Sequence, residues 1–356
     1  MTTAAICESR YARQLADGRV ECTLCPRYCH LRDGKRGVCY VRQALGGRMV
    51  LAAYGRTSGL CIDPIEKKPL FHFYPGSSVL SFGTAGCNLT CKFCQNWQIS
   101  KSRQAHTLSV AVTPDELAQL ALRYGCRSVA FTYNDPVIYL EYASAVAQAC
   151  HARAIATVAV TAGYINPEPA TELFADMDAA NVDLKGFTDA FYHQLCGGQL
   201  APVLETLRYL YHETDTWLEI TTLLIPGLND DEQQLRAMCE WIGSELGSEV
   251  PLHFTAFHPD YHLLDRPATP LATLVNARQL ARQCGLQHVY IGNRSDLEGE
   301  GTCCAACGHR LISRDGYRLT GWQLQAGACP VCHQPLAGRF AAEPGDWGAR
   351  RLLIRR

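Results

Sequence analysis

Cysteine is the residue type whose spacing in this chain most clearly suggests chemistry. The 356 residues include 19 cysteines, and twelve of them fall into three short groups. Closely spaced thiols in a chain without a secretion signal are typical of metal ligation, because a reducing compartment keeps them from pairing as disulfides. The other seven stand apart in the sequence and are interpreted as packing residues: Cys7, Cys61, Cys126, Cys150, Cys196, Cys239 and Cys284.

The central group, Cys87, Cys91 and Cys94, has the spacing CxxxCxxC. This spacing would also place three small residues on one face of a helix, but Gly83 and Gly86 just before it disfavour helix. A structural zinc ion needs four ligands, and no fourth Cys or His is close in sequence. Three thiolates suit a [4Fe-4S] cluster whose open iron chelates the amino and carboxylate groups of S-adenosylmethionine (SAM). An electron from the cluster then breaks the sulfonium bond and gives a 5'-deoxyadenosyl radical.

The C-terminal group contains two CxxC pairs separated by 21 residues, Cys304 with Cys307 and Cys329 with Cys332. This is the pattern of a four-thiolate zinc ribbon. Cys303 could replace Cys304, but only Cys304 gives the tight CxxC spacing. The nearby His309 and His333 are expected at the surface, and the ribbon is expected to be mainly structural.

The N-terminal group consists of Cys22, Cys25, Cys29 and Cys39. Four thiolates could close a zinc site or hold an auxiliary iron-sulfur cluster. The start of the group resembles part of a ferredoxin motif, but Cys39 lies far from ferredoxin spacing. Zinc is therefore the favoured interpretation.

Between the central and C-terminal groups, short apolar segments alternate with amphipathic ones, as in βα units around a parallel sheet. Predicted strands cover 79–84, 128–132, 157–161, 181–184, 217–224, 252–257 and 288–291. Capping signals predict helix starts near Thr113, Asn166, Asn229 (with Glu232 three residues later) and Thr269. This α/β pattern fits a partial (β/α) barrel, with a doubly wound open sheet as the competitor. We expect an N-terminal Cys-rich extension (1–75), a barrel core (76–300), and a zinc ribbon and tail (301–356).

Further motifs add a family resemblance. The aromatic Phe93 completes CxxxCxΦC, the signature of the radical SAM superfamily. Other matching segments are 63–76 (DPIEKKPLFHFYPG), 131–136 (FTYNDP), 181–186 (NVDLKG), 224–230 (LIPGLND), 257–261 (FHPDY) and 291–293 (IGN). Together they resemble the radical SAM enzyme of the AmmeMemoRadiSam system, which is related to pyruvate formate-lyase activating enzymes. The resemblance implies a radical SAM barrel with the [4Fe-4S] cluster on Cys87, Cys91 and Cys94.

The resemblance and the strand ends together suggest the remaining site residues. Predicted SAM contacts are Thr132, Asn134, Asp135, Asp183 and Glu219. The family's Asn-Glu-Pro is Asn-Asp-Pro at 134–136 here, and its Thr-Asn-Gly is Thr-Ala-Gly at 161–163. Candidate catalytic residues are Asp183, Lys185 and His258, because charged groups at the carboxyl ends of barrel strands commonly belong to the active site. For Asp183 and Lys185 a structural salt bridge is the alternative.

The implied activity is hydrogen abstraction from a substrate, either a protein, as for activating enzymes, or a small molecule or AmmeMemoRadiSam partner protein. A non-catalytic zinc-binding adaptor is the alternative from another class. The reaction needs an electron donor such as flavodoxin or ferredoxin. A formal charge of -1 argues against a nucleic-acid or membrane partner. We see no targeting signal or membrane span, so a cytoplasmic protein is expected.

Overall fold

The computed structural model describes residues 7–103 and 109–354. Residues 1–6, part of the segment in which no targeting signal was predicted, lie outside the described residues. The chain begins with an N-terminal module (residues 7–51) of two three-stranded antiparallel sheets. Its strands are β1 (Cys7–Glu8), β2 (Ala12–Gln14), β3 (Val20–Cys22), β4 (His30–Leu31), β5 (Arg42–Leu45) and β6 (Arg48–Leu51).

The main sheet contains the seven predicted strands, each placed to within two residues of its predicted ends. Its strands are β7 (Arg56–Pro64), β8 (Ser78–Gly83), β9 (Val110–Ala111), β10 (Ser128–Phe131), β11 (Ala156–Thr161), β12 (Ala179–Asp183), β13 (Trp217–Leu224), β14 (Leu252–Ala256) and β15 (Val289–Gly292). Strands β8 and β10 to β15 are parallel, while β7 runs antiparallel to β8 and lies inside the predicted N-terminal extension. Most residues of these strands are buried, as expected for a parallel sheet covered by helices.

The order of the strands decides between the two architectures left open by the sequence. From β8 through β15 the spatial order follows the chain order without reversal. A doubly wound sheet reverses direction at a switch point, whereas a barrel does not. Among the described residues β15 does not pair with β8, so the barrel is partial. The predicted partial (β/α) barrel is confirmed.

Helices connect the parallel strands, and most of their predicted starts are correct. They are α1 (Trp97–Ser100), α2 (Pro114–Arg123), α3 (Leu140–His151), α4 (Pro167–Ala175), α5 (Asp189–Phe191), α6 (Ala201–Glu213), α7 (Glu232–Glu245), α8 (Leu271–Gln283) and α9 (Leu297–Glu300). Thr113 and Glu116 form a complete capping box. The cap of α7 is Asp231, two residues after the predicted Asn229, whose side-chain oxygen instead accepts from Ile225 N. Thr269 does not cap α8: its hydroxyl accepts from Phe257 N and donates to Leu224 O, which links two strand ends.

The C-terminal part forms a small antiparallel sheet of β16 (Thr302–Cys303), β17 (Arg310–Asp315) and β18 (Arg318–Trp322). Its apolar residues, among them Leu311, Ile312 and Leu336, pack as a cluster separate from the main core. The tail then returns to the main sheet, where β19 (Leu352–Leu353) pairs with β7. Arg314 anchors this part to the barrel: its buried guanidinium donates to Phe71 O at 2.8 Å.

Two buried imidazoles beneath the ribbon predict sensitivity to mild acid. The rings of His72 and His288 lie 4.6 Å apart, and burial lowers the pKa of His288 to about 4. In the unfolded chain the pKa of His288 is about 6.5, so between pH 6.5 and 4 the unfolded chain binds a proton at this residue and the folded chain does not. The free energy of unfolding therefore falls by up to about 3 kcal/mol over this range. His288→Leu is expected to reduce this slope in urea unfolding, whereas exposed His193→Leu leaves it unchanged. Equal slopes for both variants would contradict the assignment.

Candidate functional site

A cavity of about 640 Å³ opens at the carboxyl ends of the parallel strands. Residues that end or follow β8 and β10 to β15 line it, which is where barrel enzymes place their sites. Its volume lies in the range of small-molecule and cofactor sites. Parallel packing therefore brings together segments that are far apart in sequence.

The three central cysteines lie in the loop that follows β8 and line this cavity. Cys91 is buried, while Cys87 and Cys94 are partly exposed. Gly83 permits this loop to lie against the next strand end, because a Cβ there would collide with Thr132 O and the Asn134 side chain. Cysteines at 87, 91 and 94 thus face the cavity from a loop, and the helical interpretation of their spacing is wrong.

Asn134 holds the cysteine loop in place. Its side-chain oxygen accepts from Thr84 N at 2.9 Å, and its amide nitrogen donates to Gly86 O at 2.8 Å. Both partners lie within three residues of Cys87. The side chain therefore links the end of β10 to the loop that carries the central cysteines.

The sequence departs from the family pattern at Asp135 and at Ala162, and the side chain of Asp135 contacts the backbone at Ala162. Its carboxylate accepts from Thr161 Oγ1 at 2.8 Å and from Ala162 N at 2.9 Å. Burial raises its pKa above the ordinary value of an aspartate, although these hydrogen bonds act in the opposite direction. The short Asp135 side chain binds the backbone at Ala162, so the two departures contact each other directly.

Cys196 was predicted to be a packing residue. In the structure it lies beside the central cysteine group. It lies at the end of a single π-helical turn (Tyr192–Cys196), and its carbonyl accepts from Thr90 N at 2.8 Å. A hydrogen bond from its thiol lowers the pKa of Cys91 to about 6. Cys91 is thereby favoured as a thiolate, the form that binds metals.

Asp183 and Lys185 line the cavity as an ion pair with an N–O distance of 2.8 Å. Burial lowers the pKa of Lys185, but the charges of Asp183 and Cys91 outweigh this and raise the pKa well above its ordinary value. The lysine is therefore a permanent cation near the cysteine loop. The Asp183 side chain is 36% exposed and can reach a bound ligand.

The structure separates Glu219 and His258 from the other predicted site residues. Glu219 is completely buried and accepts from Phe71 N, His72 N and His253 Nε2. Thr221, on the same side of β13, lines the cavity; Glu219 lies about 7 Å further from the carboxyl end of the strand. His258 is exposed and lies outside the set of described residues that line the cavity.

The cavity wall also includes acidic and aromatic residues that no sequence motif indicated. The hairpin between β17 and β18 supplies Asp315, Gly316 and Tyr317, and Glu300 and Glu66 lie on the same wall. Glu66 is fully buried, and burial raises its pKa to about 7. The C-terminal ribbon, expected to be mainly structural, thus forms part of the cavity.

The four predicted ribbon cysteines come together. The sulfurs of Cys304, Cys307, Cys329 and Cys332 all lie within 4.8 Å of one another. Cys304 and Cys332 are 3.5 Å apart, and Cys307 and Cys329 are 3.6 Å apart. Cys303 lies on β16 outside the group, as the CxxC spacing predicts. Four sulfurs at this separation fit around one tetrahedral metal ion.

The central group fits a larger centre. Within residues 7–103 and 109–354, the ribbon cysteines form the only set of three or more Cys, His, Asp or Glu ligand atoms that all lie within 4.8 Å of one another. At least one pair among the sulfurs of Cys87, Cys91 and Cys94 is therefore more than 4.8 Å apart, so these three sulfurs are less closely grouped than those of the ribbon. Three thiols facing one cavity match a [4Fe-4S] cluster with one iron open to a ligand.

Fold and site define a partial (β/α) barrel with three thiols that line a cavity at its carboxyl edge. The family model described as the Radical SAM superfamily matches residues 82–239. An uncharacterized protein of Methanocaldococcus jannaschii is 40% identical over 331 residues, covering 92% of this chain and 98% of that protein. The chain therefore belongs to the radical SAM superfamily.

More distant similarities occur among curated proteins and solved structures. The pyruvate formate-lyase-activating enzyme of Staphylococcus epidermidis is 26% identical over 204 residues, covering 52% of this chain and 78% of that enzyme. A crystallised domain of the Bacteroides vulgatus pyruvate-formate lyase-activating enzyme is 20% identical, with a TM-score of 0.42, covering 47% of this chain and 99% of the domain. A radical SAM methyltransferase from Sphaerobacter thermophilus has a TM-score of 0.49 at 17% identity, covering 67% of this chain and 71% of that one.

The described helices give no candidate membrane span: none in residues 7–103 and 109–354 combines sufficient length with sufficient apolar character. All 19 cysteines are free.

Proposed function

We propose that this protein is a radical SAM enzyme that reductively cleaves SAM and abstracts a hydrogen atom from a substrate. The observation that carries the proposal is the convergence of Cys87, Cys91 and Cys94 on one cavity at the carboxyl edge of a partial barrel. When bound there, a [4Fe-4S] cluster supplies the electron that cleaves SAM to a 5'-deoxyadenosyl radical. Membership of the superfamily supports this cofactor pair.

The protein's own residues would hold and orient SAM. Thr132, Asn134 and Asp135 line the cavity next to the cysteine loop, and Asp183 lines the same cavity. Asn134 would act mainly by positioning the cysteine loop, and Asp135 would act mainly by positioning the backbone that follows β11 at Ala162. Asp183 would bind SAM or substrate directly, and Lys185 would fix the Asp183 carboxylate and balance its charge.

The substrate would enter beside the C-terminal hairpin. Asp315 and Tyr317 line the cavity together with Glu300, so the ribbon contributes to substrate recognition. We propose a protein substrate, as the name of the Staphylococcus epidermidis activating enzyme suggests. A small molecule or an AmmeMemoRadiSam partner protein is the alternative. The electron donor would be a flavodoxin or ferredoxin, and a reducing cytoplasm would keep the 19 cysteines as thiols.

The domain assignment follows from these roles. The core (76–300) would carry the radical chemistry, and the extension (1–75) would cover one end of its sheet. The ribbon and tail (301–356) would hold zinc on Cys304, Cys307, Cys329 and Cys332, for which the close approach of the four sulfurs is the support.

A direct test begins with protein purified anaerobically and reconstituted with iron and sulfide. Reduction with dithionite in the presence of SAM should release 5'-deoxyadenosine, measured by chromatography and mass spectrometry. A protein that binds zinc but no iron and leaves SAM intact would instead support the non-catalytic zinc-binding adaptor. Omitting the reductant is the control, because SAM cleavage by this route needs an electron.

Replacing one ribbon cysteine tests the zinc assignment. Cys329→Ser removes a buried ligand, so the variant should lose about one zinc per chain. Elemental analysis measures the loss, and Cys303→Ser is the matched control because Cys303 lies outside the group. Unchanged zinc in Cys329→Ser, or equal loss in Cys303→Ser, would show that these four thiols do not bind it.

A further inference from the structure

The four N-terminal cysteines lie around one point of the N-terminal module. Cys22 ends β3 and Cys29 directly precedes β4, and Cys22 N donates to Cys29 O at 3.0 Å. The turn before Cys39 closes on the same point, because a Cβ on Gly37 would lie 3.5 Å from Cys29 Sγ. Cys22, Cys25 and Cys39 are buried, and Cys29 is partly exposed. Tyr28 N donates to Cys25 O at 3.2 Å, so a tight turn brings Cys25 next to Cys29.

The backbone around these cysteines is arranged as it is around the other two cysteine groups. The N–H two residues ahead donates to the sulfur of Cys22, Cys25 and Cys39. The same turn occurs at Cys87 in the central group and at Cys307 in the ribbon. If these cysteines were only apolar packing residues, there would be no physical reason for three buried sulfurs each to accept from the N–H two residues ahead.

The distances between the sulfurs differ between a site for one zinc ion and a site for an iron-sulfur cluster. Around one zinc ion with bonds of about 2.3 Å, four sulfurs lie about 4 Å apart. The ribbon cysteines meet this condition, but in the described part of the chain no three of the N-terminal thiols do. A cube of four irons bound at separate corners holds its thiolates further apart. In this respect the N-terminal group resembles the central group and differs from the ribbon.

We propose that Cys22, Cys25, Cys29 and Cys39 bind a second [4Fe-4S] cluster. This inference goes beyond the proposed SAM cleavage and replaces the zinc favoured by sequence spacing. The site lies against the central cysteine loop: Gly86, at φ +93°, leaves room for the Cys39 carbonyl, and Arg27 Nε donates to Asn88 O at 2.8 Å. An iron-sulfur centre there is redox-active, whereas zinc is not.

The test uses the full-length chain with the central group removed. The variant Cys87→Ala/Cys91→Ala/Cys94→Ala, reconstituted anaerobically, should still bind about four irons and four sulfides per chain. It should also keep visible absorption of an iron-sulfur centre. Adding Cys25→Ala should reduce iron to background, and adding partly exposed Cys29→Ser gives a second variant in case the first folds poorly. Adding Cys7→Ala, a cysteine of the same module outside the group, should leave the iron unchanged.

Two outcomes would overturn the inference. One is a triple variant without iron; the other is two zinc ions per chain with no iron-sulfur absorption. Neither readout depends on SAM cleavage, because the triple variant lacks the proposed SAM site. Failure of this proposal is therefore distinguishable from failure of the proposed function.

Discussion

Cys91→Ala is expected to abolish 5'-deoxyadenosine formation and to lower the iron content by about four per chain. Cys91 is the buried member of the central group, and the hydrogen bond from Cys196 holds its pKa near 6. Alanine removes a ligand that no other cavity-lining cysteine replaces, since Cys87 and Cys94 are the other cysteines among the described lining residues. Iron analysis and product quantification under dithionite measure the two effects.

Cys239→Ala is the matched control for this experiment. Cys239 is completely buried on α7 and packs in the main core away from the cavity. Its replacement should cost some stability but leave iron content and SAM cleavage at the level of the unaltered protein. Retention of both properties in Cys91→Ala would show that the cluster assignment is wrong.

Arg42→Met is expected to lower the free energy of unfolding by about 3–5 kcal/mol. Arg42 on β5 and Glu141 on α3 are 1% and 5% exposed, and their two hydrogen bonds measure 2.7 and 2.6 Å. Arg42 also donates to Ile138 O. This ion pair joins the N-terminal module to the barrel, and removing the arginine leaves Glu141 buried without its cation. Denaturant unfolding measures the effect.

The pH dependence of this loss has a defined sign. Burial raises the pKa of Glu141, but the charge and hydrogen bonds of Arg42 outweigh it and hold the pKa below its ordinary value. The stabilisation by Glu141 is therefore complete above the unfolded pKa and is lost as pH falls through the folded value. The difference in the free energy of unfolding between Arg42→Met and the unaltered protein should therefore become smaller as the pH is lowered.

Two controls separate the buried pair from general effects of losing charge. Arg48→Met breaks an ion pair with Glu8 in the same module whose side chains are 69% and 60% exposed, and it should cost less than about 1 kcal/mol. The double variant Arg42→Met/Glu141→Leu should recover much of the loss, because it leaves no unpaired buried charge. Equal losses in Arg42→Met and Arg48→Met would contradict the proposed role.

The sequence alone determined features that depend on short segments. Buried strands such as β10 and β11 appear as largely apolar runs, because both faces of a parallel strand are covered. The CxxC pairs of the ribbon specify their own turns, so the grouping of its four thiols was predictable. The radical SAM motif is equally local, since all three of its cysteines lie on one loop.

Tertiary structure decided what depends on register and on contacts between distant segments. Alternation along β13 places Glu219 and Thr221 on one side, but only the depth of each residue in the barrel shows which one reaches the cavity. The contact of Cys196 with Cys91 and the entry of Asp315 into the cavity wall join segments more than 100 residues apart. Such contacts arise from strand order and packing, which no single segment encodes.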